Sequence, residues 1–370
     1  MSKNFVSIQQ LELLPERIKK AEETDATKEL RTLIFDLFKK NDYKPMNVLI
    51  VGAGNSYPVA LFAKYTLHEE MSIPNIEALT PQAAIRMLNK DNYDINYTLV
   101  IGISYSGKTS DIKCVSEICI KRGFPFVLLT GAKKSTLSNI YTEDFDIKII
   151  SYSNENDTSG KEEGIISMAS TLAPAIILDD NWSSKLISEN QKAIEDGKEF
   201  VSNLNIVDIA KAIKKHSIIH VFYEWDTLPT AADIKNKFTT SGIANVVLHD
   251  KKNFSHGSYN LLYKQDFALV INLVKLTIAL ASKNGSVSIS KVYSNQYNVE
   301  LAKFLDYICS KKSANYIEIG TAAMMSSQWN IEAMAILPFL ITAIGEELNV
   351  DVSKPINQIP KEANALYTYR

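Results

Sequence analysis

Apolar positions in the first forty residues fall at near-helical spacing: Leu11, Leu13, Leu14 and Ile18, then Leu30, Leu33, Ile34, Leu37 and Phe38. The rhythm then changes. Residues 48–51 are a short apolar run that ends at Gly52-Ala53-Gly54, and a helical pattern follows over 58–67. Residues 73–79, 97–101, 126–129 and 145–150 continue the series of strand candidates, with a helical stretch at 110–122 after the third. Short apolar runs alternating with helices predict parallel βαβ units with helices on both faces of a sheet. Helix-like segments at 162–178 and 184–204 lead to a second block, whose strand candidates are 217–222, 244–248, 267–273, 287–289 and 316–319. In each half an apolar strand leads through a loop to a proline with a lysine six positions on, Pro58 and Lys64, then Pro229 and Lys235, a faint internal repeat. The expected fold is α/β, with two doubly wound parallel-sheet domains. N-terminal helices occupy 1–44, the first domain 45–200 and the second 201–370.

A chain of 370 residues is roughly twice a typical domain, which agrees with that division. Forty Lys and Arg against 42 Asp and Glu leave a net charge of −2, so the overall charge gives no support to nucleic-acid or acidic-membrane binding. The N-terminus lacks the apolar run of a secretory signal. The longest apolar stretch, 333–344, is interrupted by Pro338 and is short of the roughly 20 residues that a membrane span needs. Three cysteines, Cys114, Cys119 and Cys309, form neither an even framework nor a zinc pattern, which points to a reducing, cytoplasmic location. No His, Asp or Glu cluster has metal-ligand spacing, so neither a metal nor another cofactor is expected.

Two loops sit where an open parallel sheet places its ligands, between strand ends and helix N-termini. The first, Gly52-Ala53-Gly54-Asn55-Ser56, has the Gly-x-Gly of a dinucleotide fingerprint without its third glycine or a placed acid. The second, Gly102-Ile103-Ser104-Tyr105-Ser106-Gly107-Lys108-Thr109, formally satisfies the P-loop pattern. Against a nucleotide stand two preceding strand candidates, the want of a Walker-B acid and an excess of hydroxyls; ATP or GTP remains an outside option. A sugar phosphate needs donors for about three oxygens carrying close to two charges. Amides around Gly107 and a helix N-terminus supply donors and a favourable dipole. The hydroxyls of Ser104, Ser106 and Thr109 add directed bonds, although Ser and Thr at such places also serve as helix caps.

The hydroxyl loop 104–109 resembles the S-x-S-G-x-T loop of SIS (sugar isomerase) domains. Gly54-Asn55-Ser56-Tyr57 resembles their Gly-Thr-Ser-Tyr loop, and Glu162-Glu163-Gly164-Ile165-Ile166-Ser167 their Glu-x-Gly-x-Ala-Ser segment. Phe254-Ser255-His256-Gly257 sits where the family has Lys-His-Gly-Pro, and Lys354-Pro355-Ile356-Asn357 resembles its closing Pro-Arg-Asn turn. The match spans about residues 45–361, in the two-SIS-domain arrangement of the isomerase half of glucosamine-6-phosphate synthase and of fructosamine-6-phosphate deglycases. About forty-five residues precede it, so no glutaminase domain is expected ahead of it.

The resemblance implies a phosphorylated sugar or amino sugar as ligand, held by Gly54, Asn55, Ser56, Ser104, Tyr105, Ser106, Gly107, Lys108, Thr109 and Ser167. It also implies a homodimer or larger homo-oligomer, and isomerisation or amine removal as the reaction. Such chemistry calls for a histidine near the ring oxygen and a carboxylate at the reacting carbon. His256 is the best-placed histidine. The family's catalytic glutamate follows a Lys-Leu-Lys run, whereas the matching stretch here is Lys235-Asn236-Lys237-Phe238, with phenylalanine at the acid's place. The second domain's glycine loop is likewise replaced, by Phe222-Tyr223-Glu224-Trp225-Asp226. Glu162, Glu163 and Glu224 are the acids left to consider, and Lys361 lies one residue beyond the family's Schiff-base lysine. An enzyme and a non-catalytic sugar-phosphate sensor or structural subunit therefore both remain.

Overall fold

The apolar run at residues 47–52 forms strand β1 (Asn47–Gly52), whose alternate side chains are buried on both faces, as an internal parallel strand requires. The structure, a computed structural model, describes residues 5–353 except 41, 43–45, 72, 74, 91, 92, 138–140, 142–146, 156–171, 180–186, 284, 285, 322 and 324. β1 pairs in parallel with β2 (Asn75–Leu79) on one side and β3 (Thr98–Ile103) on the other. β4 (Phe126–Ala132) and β5 (Ile147–Glu155) extend the sheet to the order β2-β1-β3-β4-β5.

Leu49 and Val51 of β1 join Val100, Phe126 and Leu128 in a core under helices α4 (Pro81–Leu88) and α5 (Ser110–Arg122). The opposite face is covered by α3 (Ser56–Met71) and by the N-terminal helices α1 (Val6–Glu22) and α2 (Ala26–Lys40), with α7 (Leu172–Leu178) packed among them. Leu14, Ile18, Leu30 and Ile34, the apolar stripe read from the sequence, are buried there, and Arg31 donates to the Leu178 carbonyl at 2.7 Å. A single-turn helix, α6 (Lys134–Leu137), follows β4. Local chemistry sets the helix ends. Pro81 opens α4 behind the Thr80 cap, and Gly123, at φ +79°, closes α5.

Contacts divide the described chain into two compact bodies, one reaching to Lys192 and including Ser353, the other Ala193–Val352. The division falls within helix α8 (Ile187–Ser202). The C-terminal body holds a parallel sheet in the order β10-β8-β6-β7: β6 (Ile218–Tyr223), β7 (Asn245–Asp250), β8 (Leu269–Lys283) and β10 (Asn315–Thr321). One face packs on α11 (Tyr259–Lys264) and α12 (Gln296–Lys312) through Phe222, Phe254, Leu262, Val270 and Leu305. The other faces α9 (Ile206–His216), α10 (Leu228–Thr240) and α13 (Ser326–Leu348).

Two details depart from the sequence reading. The strand at 286–293, β9, is antiparallel: β8 overshoots its parallel neighbours, and its residues 276–283 pair with β9. Asn284-Gly285 alone separates the two strands in sequence, a dipeptide that favours two-residue hairpins. Pro338 does not interrupt the apolar segment, since α13 runs through it and is buried on nearly every side. Among the described residues, no helix is long and apolar enough to cross a membrane.

Inside the second sheet, His220 on β6 and His249 on β7 form a buried pair, Nδ1 to Nε2 at 2.8 Å, packed against Phe222, Phe254 and Phe267. Burial lowers both, to about 4, so both are neutral near pH 7. The unfolded chain, with histidines near 6.5, then binds more protons than the folded chain between pH 6.5 and 4. Stability contributed by the neutral pair is therefore complete above about pH 6.5 and is lost as pH falls toward 4. Urea midpoints measured across that range should fall with pH, and the fall should be shallower in His249→Asn; an equal slope in the variant would assign the loss to other groups.

Candidate functional site

Strand order fixes where a ligand fits in the first sheet. The connection from β1 leads to β2 on one side, while β3 continues to β4 on the other, so the loops after β1 and β3 diverge over the sheet's edge. An open α/β sheet of this order has its crevice at that switch point. Gly52 pairs with Ile103, and the segments Ala53–Asn55 and Ser104–Thr109 therefore leave the edge side by side.

The first segment is a tight turn into α3. Ser56 and Tyr57 amides donate to the Ala53 and Gly54 carbonyls at 3.0 and 3.1 Å. A Cβ on Gly52 would sit 2.3 Å from the Ser56 carbonyl oxygen, so the chain folds back too closely for any other residue. Gly54 is exposed, Asn55 half-buried, and Ser56 buried at the start of α3.

The second segment is held from several sides. The Ser104 hydroxyl, 2% exposed, meets the Thr109 hydroxyl at 2.8 Å. The Gly107 amide donates to the Ser104 carbonyl at 3.1 Å, and the Lys108 amide to Ser106 Oγ at 3.2 Å. From β4, Thr130 Oγ1 and the Gly131 amide donate to the Tyr105 carbonyl at 2.9 and 3.0 Å. Tyr141 donates to the Gly107 carbonyl at 3.0 Å, and burial pushes its own hydroxyl up to about 12. The Tyr105 ring is buried, while Ser106 and Thr109 are half-exposed and Lys108 is exposed. Thr109 occupies the cap position of α5, yet its side chain makes no capping bond, since the threonine hydroxyl turns to Ser104. The first-turn amides of α5 are thus left for another acceptor.

The same geometry weakens the nucleotide alternative. Gly102 lies inside β3, paired with Val51 and Leu128, and a Cβ there would meet the Phe126 ring at 2.7 Å. Its smallness serves packing, and only Ser104–Thr109 remain outside the ladder as loop.

Glu162, Glu163, Ser167 and Lys361 lie outside the described residues. His256 is exposed in a turn of the C-terminal body, followed by Gly257 at φ +129°. Phe238, on α10, is 1% exposed. Beside it Lys237 and Asp233, also on α10, form a buried i,i+4 ion pair, which commits that acid to its neighbour.

At the carboxyl edge of the second sheet stands a polar network that the motifs did not single out. Lys251 is buried and ion-paired with Glu224, and Lys275 is ion-paired with Asp226. Asn298 bonds both members of the first pair, and Ser326 both members of the second. Glu224 stands out in the sequence as a candidate acid, but no signal there joins it to Lys251 or to Asn298, 47 residues beyond Lys251.

Residues 43–157 match the family profile described as the SIS domain. No curated protein matches the chain in sequence. Solved structures do. The C-terminal domain of glucosamine-fructose-6-phosphate aminotransferase from Francisella tularensis superposes with a TM-score of 0.67 at 14% identity, over 95% of this chain and 98% of that one. A candidate tagatose-6-phosphate ketose/aldose isomerase from Clostridium novyi gives 0.67 at 16% identity, over 95% and 91%. Glucosamine-6-phosphate deaminase from Thermotoga maritima gives 0.60 at 14%, over 96% and 98%. At these identities the likeness is one of fold, the two-sheet α/β arrangement.

Backbone geometry in the hydroxyl loop is testable. Gly107 has φ +66°, and a Cβ there would approach Leu137 to 2.7 Å. Gly107→Ala should cost about 1–3 kcal/mol in chemical denaturation, whereas Ser106→Ala should stay within about 0.5 kcal/mol of wild type. Equal stabilities for Gly107→Ala and wild type would disprove the strained turn.

Proposed function

We propose that this chain, a SIS-domain protein over residues 43–157, binds a phosphorylated sugar or amino sugar at the loops that close β1 and β3. The observation that carries the reading is the Ser104–Thr109 segment: half-exposed hydroxyls beside an α5 N-terminus that the Thr109 side chain leaves uncapped. Amides, dipole and neutral hydroxyls together suit a dianion without demanding a buried counter-charge. Gly54, Asn55 and Ser56 would face the sugar from the neighbouring loop, and Ser167 is assigned to the same site.

The proposed chemistry is aldose–ketose isomerisation or removal of an amine next to the carbonyl carbon. Two structural relatives point that way by name, an aminotransferase and a deaminase of glucosamine phosphates. In this reading His256 opens the sugar ring, Glu162 or Glu163 moves the proton, and Lys361 is available for an imine with an open-chain ketose. The working unit is a homodimer or larger homo-oligomer. One observation favours a second reading, a sugar-phosphate sensor without turnover: buried Phe238 stands where the family has its acid.

Thermal-shift measurements with fructose, glucosamine and fructosamine 6-phosphates should show stabilisation, with none from ATP. Ser106→Ala and Thr109→Ala should each weaken binding by about 1–3 kcal/mol, the cost of leaving a charged acceptor without its donor. Stabilisation by ATP that is lost in Lys108→Ala would replace the sugar phosphate by a nucleotide. NMR of the same sugars then separates enzyme from sensor. His256→Ala should lower turnover by a factor on the order of 10²–10⁴, while binding without conversion in wild type selects the sensor.

A further inference from the structure

A cavity of about 360 Å³ opens at the carboxyl ends of β6 and β7. Glu224, just after β6, lines it with Lys251, Lys252 and Ser255, which follow β7, and with Asn295 and Tyr297 at the start of α12. Open α/β sheets take ligands at that edge, and small-molecule sites occupy roughly 300–1,000 Å³. The lining shares no residue with the loops after β1 and β3, so its ligand does not depend on the phosphate-site reading.

Its carboxylate is held in place by buried partners. Glu224 Oε1 accepts from Asn298 Nδ2 at 2.7 Å and lies 3.6 Å from the Lys251 ammonium, while 28% of the Glu224 side chain stays exposed. Lys251 is 1% exposed; its ammonium donates to the Leu273 carbonyl and to Asn298 Oδ1 at 3.4 Å, and faces the Glu224 carboxylate as an ion pair. Asn298 is fully buried, and its amide is fixed by Asn295 Oδ1 at 2.9 Å. A buried ammonium without partners costs several kcal/mol, so this arrangement resists rotation of any one member. Burial lowers the lysine to about 8, which still leaves it protonated at neutral pH.

The charges of the lining select by exclusion. The partly exposed Glu224 carboxylate disfavours an anion, and the exposed Lys252 disfavours a cation. Among the described residues no group of three or more His, Cys, Asp or Glu could hold a metal ion. A neutral molecule rich in hydroxyls satisfies what remains. Its O–H groups would donate to Glu224, its oxygens would accept from Lys252, and its C–H face would lie against the exposed Tyr297 ring. We propose that this cavity binds a neutral polyol, a sugar or sugar alcohol, with Glu224 as the main acceptor and Lys251 and Asn298 as positioning residues.

Saturation-transfer NMR with methyl α-D-glucopyranoside and D-glucitol tests the site, with inorganic phosphate as competitor. Wild type should transfer saturation to both polyols, and phosphate should not displace them. Glu224→Ala and Ser255→Trp should each weaken binding by about tenfold or more, as expected for a lost charged acceptor or a filled mouth. Ser106→Ala should bind like wild type. Ser255→Trp leaves the Lys251 pairing intact and decides the matter if Glu224→Ala fails to fold. No transfer in wild type, undiminished binding by Ser255→Trp, displacement by phosphate, or loss in Ser106→Ala would each overturn the proposal.

Discussion

The pairing of β1 with β3 is the constraint on which the candidate phosphate site rests. Because Gly52 stands opposite Ile103, the chain leaves both strands at the same level. A slip of one residue would move one loop by about 3.3 Å and turn every side chain of that strand to the other face. Such a slip is opposed by the core, since Leu49 and Val51 are buried under α4 and α5 while Val48 and Ile50 are buried on the opposite side. Hydrophobic burial thus sets the register, and the register sets the spacing of polar groups that never touch the core.

The C-terminal body repeats the topology with different chemistry. Its β6 has β7 on one side and β8 on the other, so it too has a switch point. Where the first sheet ends in glycine turns and hydroxyls, this one ends in Glu224 and Asp226, neutralised by Lys251 and Lys275. Both lysines are engaged by these carboxylates and are not left to receive a phosphate. The proposed anion binding by loop amides accordingly draws on the N-terminal body. The two bodies are alike in sheet order at their switch points and unlike in the charge they present.

Alternation of apolar runs and helical periods was enough to expose the fold class, because internal parallel strands need uninterrupted apolar side chains. The boundaries of β1, β3 and β6 lie within about two residues of those runs, while β4 continues three residues past its run. The β8–β9 hairpin was harder to read, since its Thr, Ser and Lys residues dilute the apolar signal over 276–293. Pro338 reads as a breaker in sequence, yet burial of α13 on nearly every side outweighs one missing hydrogen bond. The hydroxyl loop was visible as a motif, but whether Thr109 caps α5 or bonds Ser104 is a matter of rotamer that spacing cannot decide. Lys251 with Asn298, and His220 with His249, pair across 47 and 29 residues, so only the folded sheet brings them together.

The fate of α10 shows how packing limits chemistry. Its buried face carries Asp233, Lys237 and Phe238, and the acid and base satisfy each other at i,i+4. A carboxylate at position 238 would lie in a site only 1% exposed, next to a lysine already paired. An unpaired buried charge costs several kcal/mol, more than one ordinary substitution can absorb in a marginally stable body. The helix face is therefore committed to stability, whereas a strand end of the same body can leave a carboxylate partly exposed. Glu224 is such a carboxylate: it stands at the start of the loop leading into α10, partly exposed, with one oxygen fixed by buried partners.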